Sequence, residues 1–161
     1  MSALLLVTCG GCAVGKSSQQ LPGFVPNAPE DKPFVTSGSV TNDLNVAIIP
    51  YVKQAMATYP EAKKRYLQGL PPNHFFQVVT RLRTDTAFEQ VFVAVSSIEG
   101  NHITGKIVSD VHGVPGYKWG DLYSFPESEL IDWVIVLPNG TEEGNFVGKF
   151  LDQWLLEKRG I

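Results

Sequence analysis

The hydrophobic period of this chain changes at Gly69–Pro72, and that change constrains the fold more than any other feature. Upstream, Ile48, Tyr51, Val52, Ala55, Met56 and Tyr59 recur at steps of three and four, one apolar stripe of a helix. Downstream, in His74–Arg83, Phe76, Val78 and Leu82 face one side while Gln77, Arg81 and Arg83 fall among the other positions. A pattern of one period cannot serve the other element. Helices followed by strands predict an α+β fold, with N-terminal helices packed on a small, mainly antiparallel β-sheet.

Prolines and glycines divide that outline into elements. Pro50 suits a first helical turn, where its missing N–H has no partner to lose. Pro60 disfavours helical geometry at Tyr59, so a helix is expected to end or kink there. A second helix is expected over Glu61–Gln68, burying Ala62, Tyr66 and Leu67, with Gly69 and Pro71-Pro72 as its stop. Thr84-Asp85-Thr86 reads as a hairpin turn into a strand at Phe88–Val95, and Glu99-Gly100-Asn101 as the turn before His102–Ser109. A long loop, Asp110–Gly120, carries Gly113, Gly116 and Gly120. A short strand at Leu122–Phe125, a helical turn at Pro126–Leu130 and a strong strand at Asp132–Leu137 follow. After a tight turn at Pro138-Asn139-Gly140, Phe146–Arg159 continues as a strand and then a C-terminal helix.

A chain of 161 residues with 43% apolar and 18% charged residues fits one globular domain. The net charge of −3 gives no reason to expect nucleic acid as partner. Charge is uneven, however. Six basic residues (Lys53, Lys63, Lys64, Arg65, Arg81, Arg83) face only Glu61 between Asn45 and Arg83. Seven acidic ones (Asp110, Asp121, Glu127, Glu129, Asp132, Glu142, Glu143) face only Lys118 between Asp110 and Glu143. The pattern fits two solvated faces, or a polarised surface that steers a charged partner.

The N-terminus carries two overlapping motifs. Gly10–Ser17, GGCAVGKS, matches the phosphate-cradling loop G-x-x-x-x-G-K-[ST]. That loop needs a helix directly behind it, and Pro22, Pro26, Pro29 and Pro33 forbid a long one. The match is read as coincidental, and no nucleotide or other cofactor is expected. Ala3–Val7 followed by small residues and cysteine instead resembles a bacterial lipoprotein signal, with Cys12 or Cys9 as the lipidated residue. The expected organisation is an export signal at 1–12, a Pro/Gly/Ser-rich linker at 13–44 and a globular domain at 45–161. The expected location is the cell envelope, or the cytoplasm if the N-terminus is no signal. Both cysteines lie in the first twelve residues, so the folded part holds no disulfide, thiolate nucleophile or cysteine-based zinc site.

Residues Tyr51–Phe150 resemble the bacterial domain-of-unknown-function family 2314. The matching positions are Glu89 with Phe92-Val93, Gly105, Gly120-Asp121, Ile131-Asp132-Trp133 and Gly144-Asn145-Phe146. Gln90 and Phe92 stand where that family commonly has His and Trp, and Val111 where it has Pro. A function resting on that His is missing here. The resemblance implies an α+β domain with a small antiparallel sheet and no known catalysis.

The candidate chemistry is thin. Ser109, Asp110 and His112 invite a hydrolase reading, but loop neighbours rarely form a triad and no G-x-S-x-G elbow exposes the serine. His74, His102 and His112 lack ligand spacing, so no metal is expected. Glu89, Glu99 and Asp132 pair only if the fold brings them together. Gly105, Gly120, Asp121, Asp132 and Trp133 are read as structural, with the Asp132 carboxylate accepting N–H bonds from a turn and the Trp133 indole filling the core. Tyr117, Trp119 and Tyr123 cluster at the glycine-rich loop, either capping the sheet or making contacts. The favoured function is a non-enzymatic, envelope-anchored binding or accessory module with a protein partner. Its contact surface would be the Asp110–Tyr123 loop, with Asp110, His112, Tyr117, Trp119 and Tyr123. Membrane contact is expected only through an N-terminal lipid anchor. Two alternatives stand beside it: a hydrolase using acidic residues near Asp110 and Asp132, and an immunity-like protein that neutralises a partner through its acidic face.

Overall fold

A computed structural model describes residues 39–159 except residue 86. The expected signal and most of the expected linker, including Cys9, Cys12 and the GGCAVGKS match, lie outside the described residues. The fold is α+β. Three helices, α1 (Ser39–Ala47), α2 (Ile49–Gln68) and α3 (Phe146–Arg159), accompany six strands. The strands are β1 (Phe75–Arg83), β2 (Phe88–Glu99), β3 (His102–Ile107), β4 (Leu122–Pro126), β5 (Asp132–Val136) and β6 (Glu142–Gly144). They form one antiparallel sheet in the order β4-β3-β2-β1-β5-β6. The first four make a meander. A 3-10 turn at Glu127–Glu129 then carries the chain across to lay β5 against the free side of β1.

This crossover makes β1 a central strand, buried on both faces. Phe76, Val78 and Leu82 pack with Ala55, Tyr59 and Ala62 of α2 and with Trp133. On the other face Val79 packs with Leu44 of α1, Ile48 of the elbow into α2, Ile131 just before β5, and Val147 of α3. All five residues of β5 are buried, as a strand covered on both sides requires.

Four expectations are corrected. The helix does not end at Tyr59: α2 runs unbroken through Pro60 to Gln68. An interior proline costs a helix about 3 kcal/mol. Ala55 and Tyr59 before it and Ala62 after it are all buried against the sheet, and each large buried side chain returns about 1.5–3 kcal/mol. Second, Met56 (40% exposed) and Leu67 (58%) leave the expected stripe. The buried line is 55-59-62-66, and a residue one step along is rotated by about 100° away from it. Third, no strand precedes the last helix after Phe146. Gly144 (φ 75°) and Asn145 (φ 53°) are both left-handed, which ends the extended chain and starts α3 directly, while the strand lies earlier at β6.

The fourth correction concerns the linker, expected to reach residue 44. Ser39–Ala47 is helical, Leu44 is buried, and Asn45 Oδ1 accepts a hydrogen bond from Arg81 Nη2 at 2.9 Å. The stretch from 39 onward therefore belongs to the domain. Leu44→Ala should lower unfolding stability by about 2 kcal/mol, the low end for a buried leucine because α1 sits at the margin of its cluster. Urea denaturation measures this, and an unchanged midpoint would return α1 to the linker.

Candidate functional site

The expected contact loop spans residues 108–121, between β3 and β4, and its backbone is tied down along its length. At its start, Val108 N–H donates to Phe92 O at 2.9 Å, and the buried Ser109 hydroxyl accepts from Phe92 N–H at 2.8 Å. In its middle, the Glu89 carboxylate accepts from the N–H groups of His112 (3.0 and 3.1 Å) and Gly113 (2.7 Å). Val114 plugs into the core at 2% exposure. At its end, Gly120 N–H reaches Ile107 O at 2.7 Å, Ile107 N–H reaches Asp121 O at 2.9 Å, and Asp121 Oδ2 accepts from Lys118 N–H at 3.0 Å. Gly120 has φ 87°, so the closing turn requires a residue free to enter the left-handed region. Gly105, on the neighbouring strand, has no room for a Cβ, which would run into the Ala94 carbonyl.

The side chains divide sharply. Tyr117 (36%) and Trp119 (44%) are exposed, and Leu122, the first residue of β4, is 69% exposed beside them in sequence. Asp110 and His112 are exposed as well. Tyr123 departs from the expected contact set. It is half-buried in β4, stacks on Phe125 with ring centroids 5.5 Å apart, and receives Tyr117 edge-on at 5.7 Å. It anchors the cluster rather than presenting it. Ser109, Asp110 and His112 form no triad, because the serine hydroxyl is buried and occupied by Phe92 N–H.

The proposed carboxylate pair is also dispersed. Glu89 and Glu99 stand near opposite ends of the 12-residue β2, and Asp132 lies on β5, with β1 between β5 and β2. Asp132 is fully buried, yet its oxygens do not meet a turn as expected. Oδ1 accepts from Trp133 N–H at 2.8 Å, and Oδ2 from Val147 N–H at 2.6 Å, in the first turn of α3. Burial pushes its carboxyl up to about 6 from 3.8, against the pull of those backbone N–H groups. On the opposite face, Trp133 donates its indole N–H to Ala55 O (3.2 Å) and Thr58 Oγ1 (3.0 Å) of α2 and packs edge-on to Phe146.

Three members of the acidic stretch make internal contacts. Glu127 accepts from Lys63 (2.5 Å) and from Tyr59, Glu143 from Arg65 (2.5 Å), and Glu142 from Asn145. Among the described residues no group of three His, Cys, Asp or Glu could hold a metal ion. Among the same residues, no helix is long and apolar enough to cross a membrane. Comparison with family models, with curated proteins and with solved structures gives no match. The clamp formed by Glu89 was not legible beforehand, since the glutamate lies more than twenty residues from the amides it holds.

Two outcomes follow from these environments. Trp133→Ala should cost about 3–5 kcal/mol, whereas Trp119→Ala should stay within about 0.5 kcal/mol. Equal losses in chemical denaturation would make the loop part of the core. The raised Asp132 carboxyl means that, between about pH 4 and about 6, the folded chain keeps a proton that the unfolded chain has released. Its contribution therefore falls as pH rises through that window and is constant above it. Asp132→Asn should flatten the pH slope of unfolding free energy there while lowering overall stability. An unaltered slope would assign the titration to another group.

Proposed function

We propose that this protein is a non-enzymatic binding module that engages a protein partner through the loop between β3 and β4. One observation carries the reading: the loop's backbone is held by Glu89, Ser109 and Asp121 while Trp119 and Leu122 project exposed and Tyr117 lies partly exposed against Tyr123. Ordering a loop on binding costs affinity, and a loop already held avoids that cost. Aromatic side chains then supply large contact area with few rotatable bonds. The alternatives have less support. Asp132 is buried with both oxygens engaged, which leaves a hydrolase little to work with, and Glu127 and Glu143 of the acidic stretch are paired internally. Envelope anchoring through Cys12 or Cys9, and kinship with domain-of-unknown-function family 2314, belong to the same proposal and rest on the sequence readings alone.

A photo-crosslinking residue at position 119 should yield a discrete adduct in cells, and the same residue at exposed Lys64 on α2 should not. Tyr117→Ala should weaken partner binding by about 2 kcal/mol, roughly thirtyfold, as for a contact hot spot. Glu89→Ala should weaken it too without removing any contact side chain. No adduct at 119, or the same adduct at 64, sinks the reading. Labelled palmitate recovered on the full chain in the membrane fraction, and lost on substituting Cys12 or Cys9, tests the anchor.

A further inference from the structure

The six basic residues of the 45–83 stretch separate into two sets of different fate. Lys63, Arg65 and Lys64 lie within 4.0 Å of Glu127, Glu143 and Glu61 respectively. Lys53, Arg81 and Arg83 have no carboxylate within that distance among the described residues, and all three line one groove of about 380 Å³. The groove runs between the α1–α2 elbow, the end of β1 and the segment 128–131. Ile48, Val52 and Ile131 provide apolar lining, and Ile48 and Ile131 belong to the core behind it.

Arg81 is held in place there. Its guanidinium lies over the Phe88 ring at 4.7 Å, and Nη2 donates to Asn45 Oδ1 at 2.9 Å. Its Nε is buried and meets no acceptor among the described residues. An arginine carries five N–H donors, and a buried donor left unpaired is unfavourable. Burial and the nearby charge of Arg83 push the guanidinium below its ordinary value. An anion in the groove would offset the charge that Arg83 places beside Arg81. Glu129 stands on the same wall, which favours a single negative charge over a phosphate dianion. The volume falls within the range of about 300–1,000 Å³ typical of small-molecule sites.

We infer that the Lys53–Arg81–Arg83 groove is a binding site for a small amphipathic carboxylate, its head on the cations and its apolar body along Ile48, Val52 and Ile131. This site is separate from the β3–β4 loop and does not rest on the loop's role.

The test titrates the isotopically labelled full chain with octanoate below its micelle-forming concentration and follows backbone amide shifts. Saturable shifts at Ile48, Val52, Arg81 and Ile131 are expected, with octanol and acetate each binding at least about tenfold more weakly, since each lacks one half of the recognition. Arg81→Gln should abolish octanoate binding. Because Arg81 also holds α1, Lys53→Glu provides the variant that preserves folding: Lys53 is exposed, so the melting temperature should hold while octanoate affinity falls about tenfold. Trp119→Ala should leave octanoate binding unchanged. The inference is overturned if octanol binds as tightly as octanoate or octyl phosphate binds more tightly. It is equally overturned if shifts map to Tyr117–Leu122, or if Lys53→Glu folds and binds as well as the parent.

Discussion

Two adjacent residues of β5 join the sheet to its helices. Asp132 points to one face and receives the first turn of α3, while Trp133 points to the other and bonds the middle of α2. A strand alternates its side chains, so neighbours in sequence serve opposite layers. Burying a carboxylate this deeply is costly, and only its backbone N–H donors make it tolerable. One of those donors, Val147 N–H, is an otherwise unpaired amide at the start of α3, which itself needs an acceptor. Each side of the contact satisfies the other, and the position of α3 follows from it.

The ion pairs do a different job. Lys63–Glu127 and Arg65–Glu143 link α2 to the crossover and to β6. Their side chains are between a fifth and two-fifths exposed, so each contributes little to stability, about 0–1 kcal/mol. Their consequence is one of distribution. They remove charge from one end of α2, while towards the other Lys53, Arg81 and Arg83 have no carboxylate within 4.0 Å among the described residues. Uneven charge in the sequence thus becomes local charge at a groove, without a polarised molecule.

The loop between β3 and β4 shows how rigidity and exposure coexist. Its backbone needs are met by Glu89, Ser109 and Asp121, so its aromatic side chains are not required to seal anything. Tyr123, one strand position beyond Leu122, turns inward and supports Tyr117.

The sequence by itself determined the element types, because local period and turn chemistry act over a few residues. Helix before Gly69, the alternation in β1, and the turns at Gly100 and Gly140 all lie in the structure where their residues put them. Burial of Trp133 was legible too, since it sits in an unbroken apolar run. Tertiary structure alone decided what depends on distant partners. Pro60 lies inside a helix because packing on either side outweighs a local preference. Residues 39–47 fold because β1 and Ile131 provide a surface for Leu44. Glu89 holds a loop, Asp132 holds a helix, and three cations share a groove because β5 crosses to the far side of β1. Each arrangement depends on which strands are neighbours, and strand order is set by the packing of the whole chain, not by any segment's own period.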